Sequence, residues 1–68
     1  MIRTDAQLQQ AIEQIERLYQ GLNALRAEVL PKNRRKFAVL AEGPLDEIRK
    51  LQAEISEYVG RLDQVGAA

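Results

Sequence analysis

The sequence predicts an all-α protein, an antiparallel helical hairpin with a short helical turn in its connection, dimerising into a four-helix bundle. Three observations carry that prediction. Two long segments place apolar residues at alternating spacings of three and four, the period of a helix that buries one face. Pro31 and the pair Gly43-Pro44 punctuate the chain between them. With 68 residues, a folded monomer hides only roughly 60% of the surface its unfolded chain exposes, so a lone hairpin is marginal.

The first stripe is Leu8, Ala11, Ile15, Leu18, Leu22, Leu25 and Val29, with Ile12 and Tyr19 one step beyond two of these positions. That widens the stripe from a narrow coiled-coil seam to the face of a globular bundle. Gln9, Gln10, Glu13, Glu16, Arg17 and Gln20 lie opposite and suit water. Thr4 and Gln7 have the capping-box spacing, and Asp5 is placed favourably at the positive helix end. Pro31 predicts the stop, because the residue before a proline is pushed out of the helical region. A helix over residues 5–30 is then roughly 39 Å long at 1.5 Å per residue. Gly21 inside it costs about 1 kcal/mol against alanine; close approach of the partner helix is its expected use, and a kink the alternative.

The connecting segment, residues 31–43, contains Phe37-Ala-Val-Leu-Ala41, too apolar for a solvated loop. Asn33 is placed to cap one or two short turns over residues 34–42, laying Phe37 and Leu40 over the end of the hairpin. A strand is the rival reading, but it has no second strand to pair with. The second stripe is Ile48, Leu51, Ile55, Tyr58, Leu62 and Val65, flanked by Leu45 and Val59. Gly43-Pro44 reads as its start, since proline suits the first helical position and Asp46 and Glu47 follow in the first turn. Asp46 to Lys50 and Glu57 to Arg61 have ion-pair spacing. Gly60 predicts a break or fraying near the end of a helix from about residue 44 to 60 or slightly beyond, with a disordered Gly-Ala-Ala tail.

Two helices meeting along one seam cannot cover faces this wide. Doubling the hairpin hides the remaining strips, and a partner helix from another protein would satisfy the same surface. The residues expected to form core and oligomer interface are Leu8, Ile15, Leu18, Leu22, Leu25, Ile48, Leu51, Ile55 and Tyr58.

Charge narrows the choice of partner. Ten basic and ten acidic residues cancel, so the overall field gives no reason to expect nucleic acid or an anionic membrane. Locally, residues 32–36 hold four cations and no anion, and Lys32, Arg34, Arg35 and Lys36 are the candidate contacts for nucleic acid or an acidic partner. The bland reading of that cluster is a charged interhelical loop that stays wet. No apolar run spans a bilayer, and Arg3 followed by polar residues does not read as a signal peptide, so a cytoplasmic protein without membrane contact is expected.

Chemistry is poorly provided for. Neither cysteine nor histidine occurs, which removes disulfides, the usual metal ligands and any activated partner for Ser56 or Thr4. Glu13 with Glu16 and Glu54 with Glu57 have the one-turn spacing of di-metal bundle sites, but those sites also require histidine, and all four lie off the main stripe. No phosphate or calcium loop is present. The expectation is a non-catalytic protein with no cofactor and no metal. Tyr19 and Tyr58 read as packing residues with their hydroxyls at the edge.

Two stretches carry a resemblance. Met1-Ile-Arg-Thr-Asp-Ala-Gln7 and Leu45-Asp-Glu-Ile-Arg-Lys-Leu-Gln-Ala-Glu-Ile-Ser-Glu-Tyr58 resemble the helical region that precedes the helix-turn-helix domain of some bacterial regulators, among them antitoxins of the host-inhibition-of-growth type. The resemblance implies a dimerising or toxin-contacting segment, with an antitoxin-like regulator as the alternative function. That family's DNA-reading domain has no matching residues here onto which its DNA recognition can be carried.

Overall fold

The computed structural model describes the backbone of residues 1–67 and the side-chain surroundings of residues 1–63. Two α-helices, α1 (Asp5–Val29) and α2 (Arg34–Ala67), fold back on each other as an antiparallel hairpin, and no strand occurs among the described residues. The molecule is a rod of 54 × 18 × 16 Å. Its length is that of α2, whose 34 residues span about 51 Å at 1.5 Å each. The shorter α1, 25 residues, leaves the far end of α2 overhanging.

The caps follow the sequence closely. Thr4 has extended backbone, and its hydroxyl accepts from the Gln7 amide at 3.1 Å. The Gln7 side chain returns the bond one residue early, its Oε1 accepting from the Arg3 amide at 2.7 Å rather than from Thr4. Asn33 opens α2, its Oδ1 accepting from the Lys36 amide at 3.0 Å. Asp46 and Lys50 pair at 3.8 Å, although both are so exposed that the pair contributes little. The matching Glu57–Arg61 pair does not form, because the Arg61 guanidinium donates instead to the carbonyl of Ile2 at 2.8 Å.

Helix boundaries depart from expectation at three places. The turn is short: the amides of Lys32 and Asn33 both donate to the Val29 carbonyl, and residues 34–43, expected in a connecting segment, already belong to α2. Leu30 keeps right-handed helical angles, φ −57° and ψ −43°, so the end of α1 does not come from an extended residue before Pro31. A proline simply has no N–H with which to continue the ladder.

The second departure is Pro44, which lies inside α2 rather than at its start. One rung, to the carbonyl of Leu40, is thereby missing. Leu40, Glu42 and Gly43 are all exposed, so that carbonyl lies where water can replace the lost donor. The apolar period explains why the helix continues: Phe37, Ala41, Leu45 and Ile48 keep the three-and-four spacing straight across the Gly-Pro pair, and all four are buried or half-buried. A continuous seam outweighs one missing bond.

Third, α2 does not break at Gly60. It runs helically through Gly60 and Gly66 to Ala67, while the side chain of Val65 and the whole of Ala68 lie outside the described residues. Neither Gly21 nor Gly60 has any atom near the place a Cβ would occupy, and Gly21 is exposed. The close helix approach expected at Gly21 is therefore absent.

Candidate interaction surface

The seam is built where the two stripes meet. Ala11, Ala41, Ile48 and Tyr58 are buried, and Leu8, Leu51 and Ile55 pack against the cluster around Ala11 and Tyr58. Of the nine expected core residues, Ile48 and Tyr58 are buried outright, while Leu8, Ile15, Leu18, Leu22, Leu25, Leu51 and Ile55 are half-buried. Phe37 is half-buried as well, but Leu40 stays 44% exposed and does not cover the core. One step along α2 it is Ala41 that points inward, because the seam already established by Ile48 and Leu45 sets the rotation of the whole helix.

A core residue absent from the stripes is Ile2, only 4% exposed. The extended segment before α1 straps onto the overhanging part of α2. Arg61 holds the Ile2 carbonyl, the Met1 amino group lies 3.5 Å from Glu54, and Ile2 joins Ala11 and Tyr58 in the cluster. The only forewarning in the sequence is an isoleucine two residues ahead of the Thr4 cap, close to the position of a hydrophobic staple.

At that end Tyr58 donates its hydroxyl to the Asp5 carboxylate at 3.1 Å. Burial, then the Asp5 hydrogen bond and its negative charge, pushes the phenol above its ordinary value, with Arg61 pulling the other way. Tyr58 is thus a packing residue with its hydroxyl at the edge. Tyr19 is 48% exposed.

The apolar face is only partly spent in the seam. Ile12, Tyr19, Val59 and Leu62 remain between 43% and 49% exposed, and among the described residues no side chain reaches full burial. Ile12 follows Ala11, Tyr19 follows Leu18 and Val59 follows Tyr58, so each lies 100° beyond a seam residue in the same rotational sense. In an antiparallel pair that sense leads to one side of the hairpin on both helices. Leu62, one turn past both Tyr58 and Val59, continues the strip. Val39, 62% exposed, faces away and stands alone, as single surface apolar residues commonly do.

The tip holds the cations. Lys32, Arg34, Arg35 and Lys36 are all exposed, and among the described residues no carboxylate pairs with any of them. Three of the four occupy the first turn of α2, where no acidic residue offsets them; a helix start ordinarily favours the opposite sign.

Among the described residues the remaining geometry does not gather reactive groups. Glu13, Glu16 and Glu57 are exposed, and Glu54 is engaged with the Met1 amine. Among the described residues no three metal-ligating side chains come together. One shallow concavity is lined by Glu42, Gly43, Leu45, Asp46 and Arg49 of α2 alone, a furrow on one helix rather than a cleft between two. No helix among the described residues is long and apolar enough to cross a membrane.

Comparison with protein-family models, with curated proteins and with solved structures finds no match. The resemblance to the helical segment of antitoxin regulators therefore receives no support from relatives, and the surface itself carries the functional reading.

Proposed function

We propose that this chain is a non-catalytic oligomerisation module whose partner is a second copy of itself, the two hairpins packing as a four-helix bundle. The observation that supports it is the strip Ile12, Tyr19, Val59 and Leu62, four large apolar side chains left about half-exposed along one side of a hairpin whose own core is thin. A contact between two such strips buries apolar area at roughly 25 cal/mol per Å², the kind of gain a chain this small uses for its stability. Facing copies also present like to like, which is what a two-fold contact requires.

Ile12→Lys combined with Val59→Lys tests this without touching the buried seam. Sedimentation should return a mass near twice the 7.7 kDa chain for the unaltered protein and a single-chain mass for the variant. A dimer that survives both lysines would show that the strip is not the contact. Leu51→Asp, inside the seam, should likewise dissociate and unfold the protein together.

A second reading, a small nucleic-acid-associated or antitoxin-like regulator, draws on the unpaired cations at the tip. It predicts salt-dependent binding of DNA or RNA that disappears when Lys32, Arg34, Arg35 and Lys36 become glutamine. The balanced total charge favours the first reading.

A further inference from the structure

We infer that the second copy lies antiparallel to the first, each hairpin's cationic tip half running alongside the acidic open half of its partner. This rests on the dimer reading above and adds its orientation.

The structure supplies a ruler. Asp5 bonds to Tyr58 and Ile2 to Arg61, and the residue numbers of each pair add to 63. The same relation brings Ile15 level with Ile48 and Leu22 level with Ala41, so the whole chain can be placed along the rod. Cut at its middle, the rod has a tip half of residues 13–50 and an open half made of residues 1–12 and 51–68. The tip half carries eight cationic and six anionic side chains, a net of plus two. The open half carries two cationic and four anionic, a net of minus two. A chain with no net charge is thus a rod with opposite ends.

The apolar strip lies mainly in the open half, running from the level of Leu62 to that of Tyr19, about 27 Å at 1.5 Å per residue. Two copies can lay strip on strip about a two-fold axis along the rod or across it. Along the rod, both tips come together, and eight cations from residues 32–36 of the two chains crowd within a few helix diameters with no carboxylate paired to them. Across the rod, the two tips lie at opposite ends, and the strip-side part of each tip half, with Arg49 and Lys50, passes the open half of the other copy, where Asp5, Glu57 and Asp63 lie. Either arrangement covers the strip; the charges decide between them. They also account for the cations at the start of α2, where a helix taken alone would favour acids.

The absence of cysteine makes the test clean. Ala27 is exposed and near the tip, so Ala27→Cys accepts a single nitroxide label without altering charge. Pulsed electron paramagnetic resonance on the labelled dimer should give a separation beyond about 45 Å, set by the 54 Å rod. A separation within about 20 Å, two helix diameters, would overturn the orientation. Replacing Lys32, Arg34, Arg35 and Lys36 by glutamine supplies an arm of opposite sign. At low salt the variant should dimerise several-fold more weakly, whereas tighter dimerisation, the result of relieving two like-charged tips, would overturn the inference. A single-chain mass for the unaltered protein in the same experiment would remove the dimer reading itself, and the orientation with it.

Discussion

Replacing Pro44 by alanine should stabilise this protein, and the reasoning can be worked through from α2. A proline in a helix interior is less favourable than alanine by about 3 kcal/mol, through one lost hydrogen bond and a clash with the carbonyl four residues back. Two effects work against the gain. Alanine leaves the unfolded chain freer, at a cost of about 0.4 to 1 kcal/mol. The Pro44 ring is half-buried, and the methylenes it would lose are worth about 1 kcal/mol at 0.8 kcal/mol for each when fully buried. The net expectation is a gain of about 1 to 2 kcal/mol. In a domain of this size each kilocalorie moves the midpoint by about 4 to 8 °C, so thermal melts followed by circular dichroism at one fixed protein concentration will resolve it. An unchanged or lowered midpoint would refute the reasoning, because that is what a proline in the first turn of a helix beginning at Gly43-Pro44 would produce.

Other substitutions test the remaining parts. Gly21→Ala, with open space where the Cβ goes, should add about 1 kcal/mol in the same melts, and a loss would mean that a hidden contact occupies that space. Asn33→Ala removes the cap of α2 and should cost about 1 kcal/mol, measured by urea unfolding. High pH should strain the Tyr58–Asp5 contact: the fold holds the phenolic proton more tightly than the unfolded chain does, so this stabilisation is whole below about pH 10 and is lost as pH rises through the higher folded value. Tyr58→Phe should therefore unfold less steeply between neutral and strongly alkaline pH than the unaltered protein, and equal slopes would contradict the assignment.

What could be read from the residues was the periodic part. The stripes through Leu8 to Val29 and Ile48 to Tyr58 specify two helices because no other backbone puts those side chains on one face, and Thr4 and Asn33 mark helix starts by local bonds that need no tertiary context. Where two local rules competed, the weaker one misled. Gly43-Pro44 looks like a start signal, yet Phe37, Ala41 and Leu45 share a seam with Ile48, and burial along that seam exceeds the cost of one missing rung. Gly60 favours a break or fraying on local grounds alone, and the helix that the Ile2 strap helps to anchor overrides it. Ile2 itself was beyond periodic reasoning, since an extended segment buries a residue by where it happens to cross α2. The candidate surface was foreseen as a surplus; its restriction to one side, at Ile12, Tyr19, Val59 and Leu62, required the rotation of both helices about the seam.

The central claim is that the apolar strip is covered by a second copy. Sedimentation equilibrium over a wide dilution range, with helicity recorded on the same samples, tests it most directly. The expected result is a mass near twice 7.7 kDa that falls toward one chain on dilution, with helicity lost in step. A single-chain mass at every concentration, with helicity fully retained, would contradict the account.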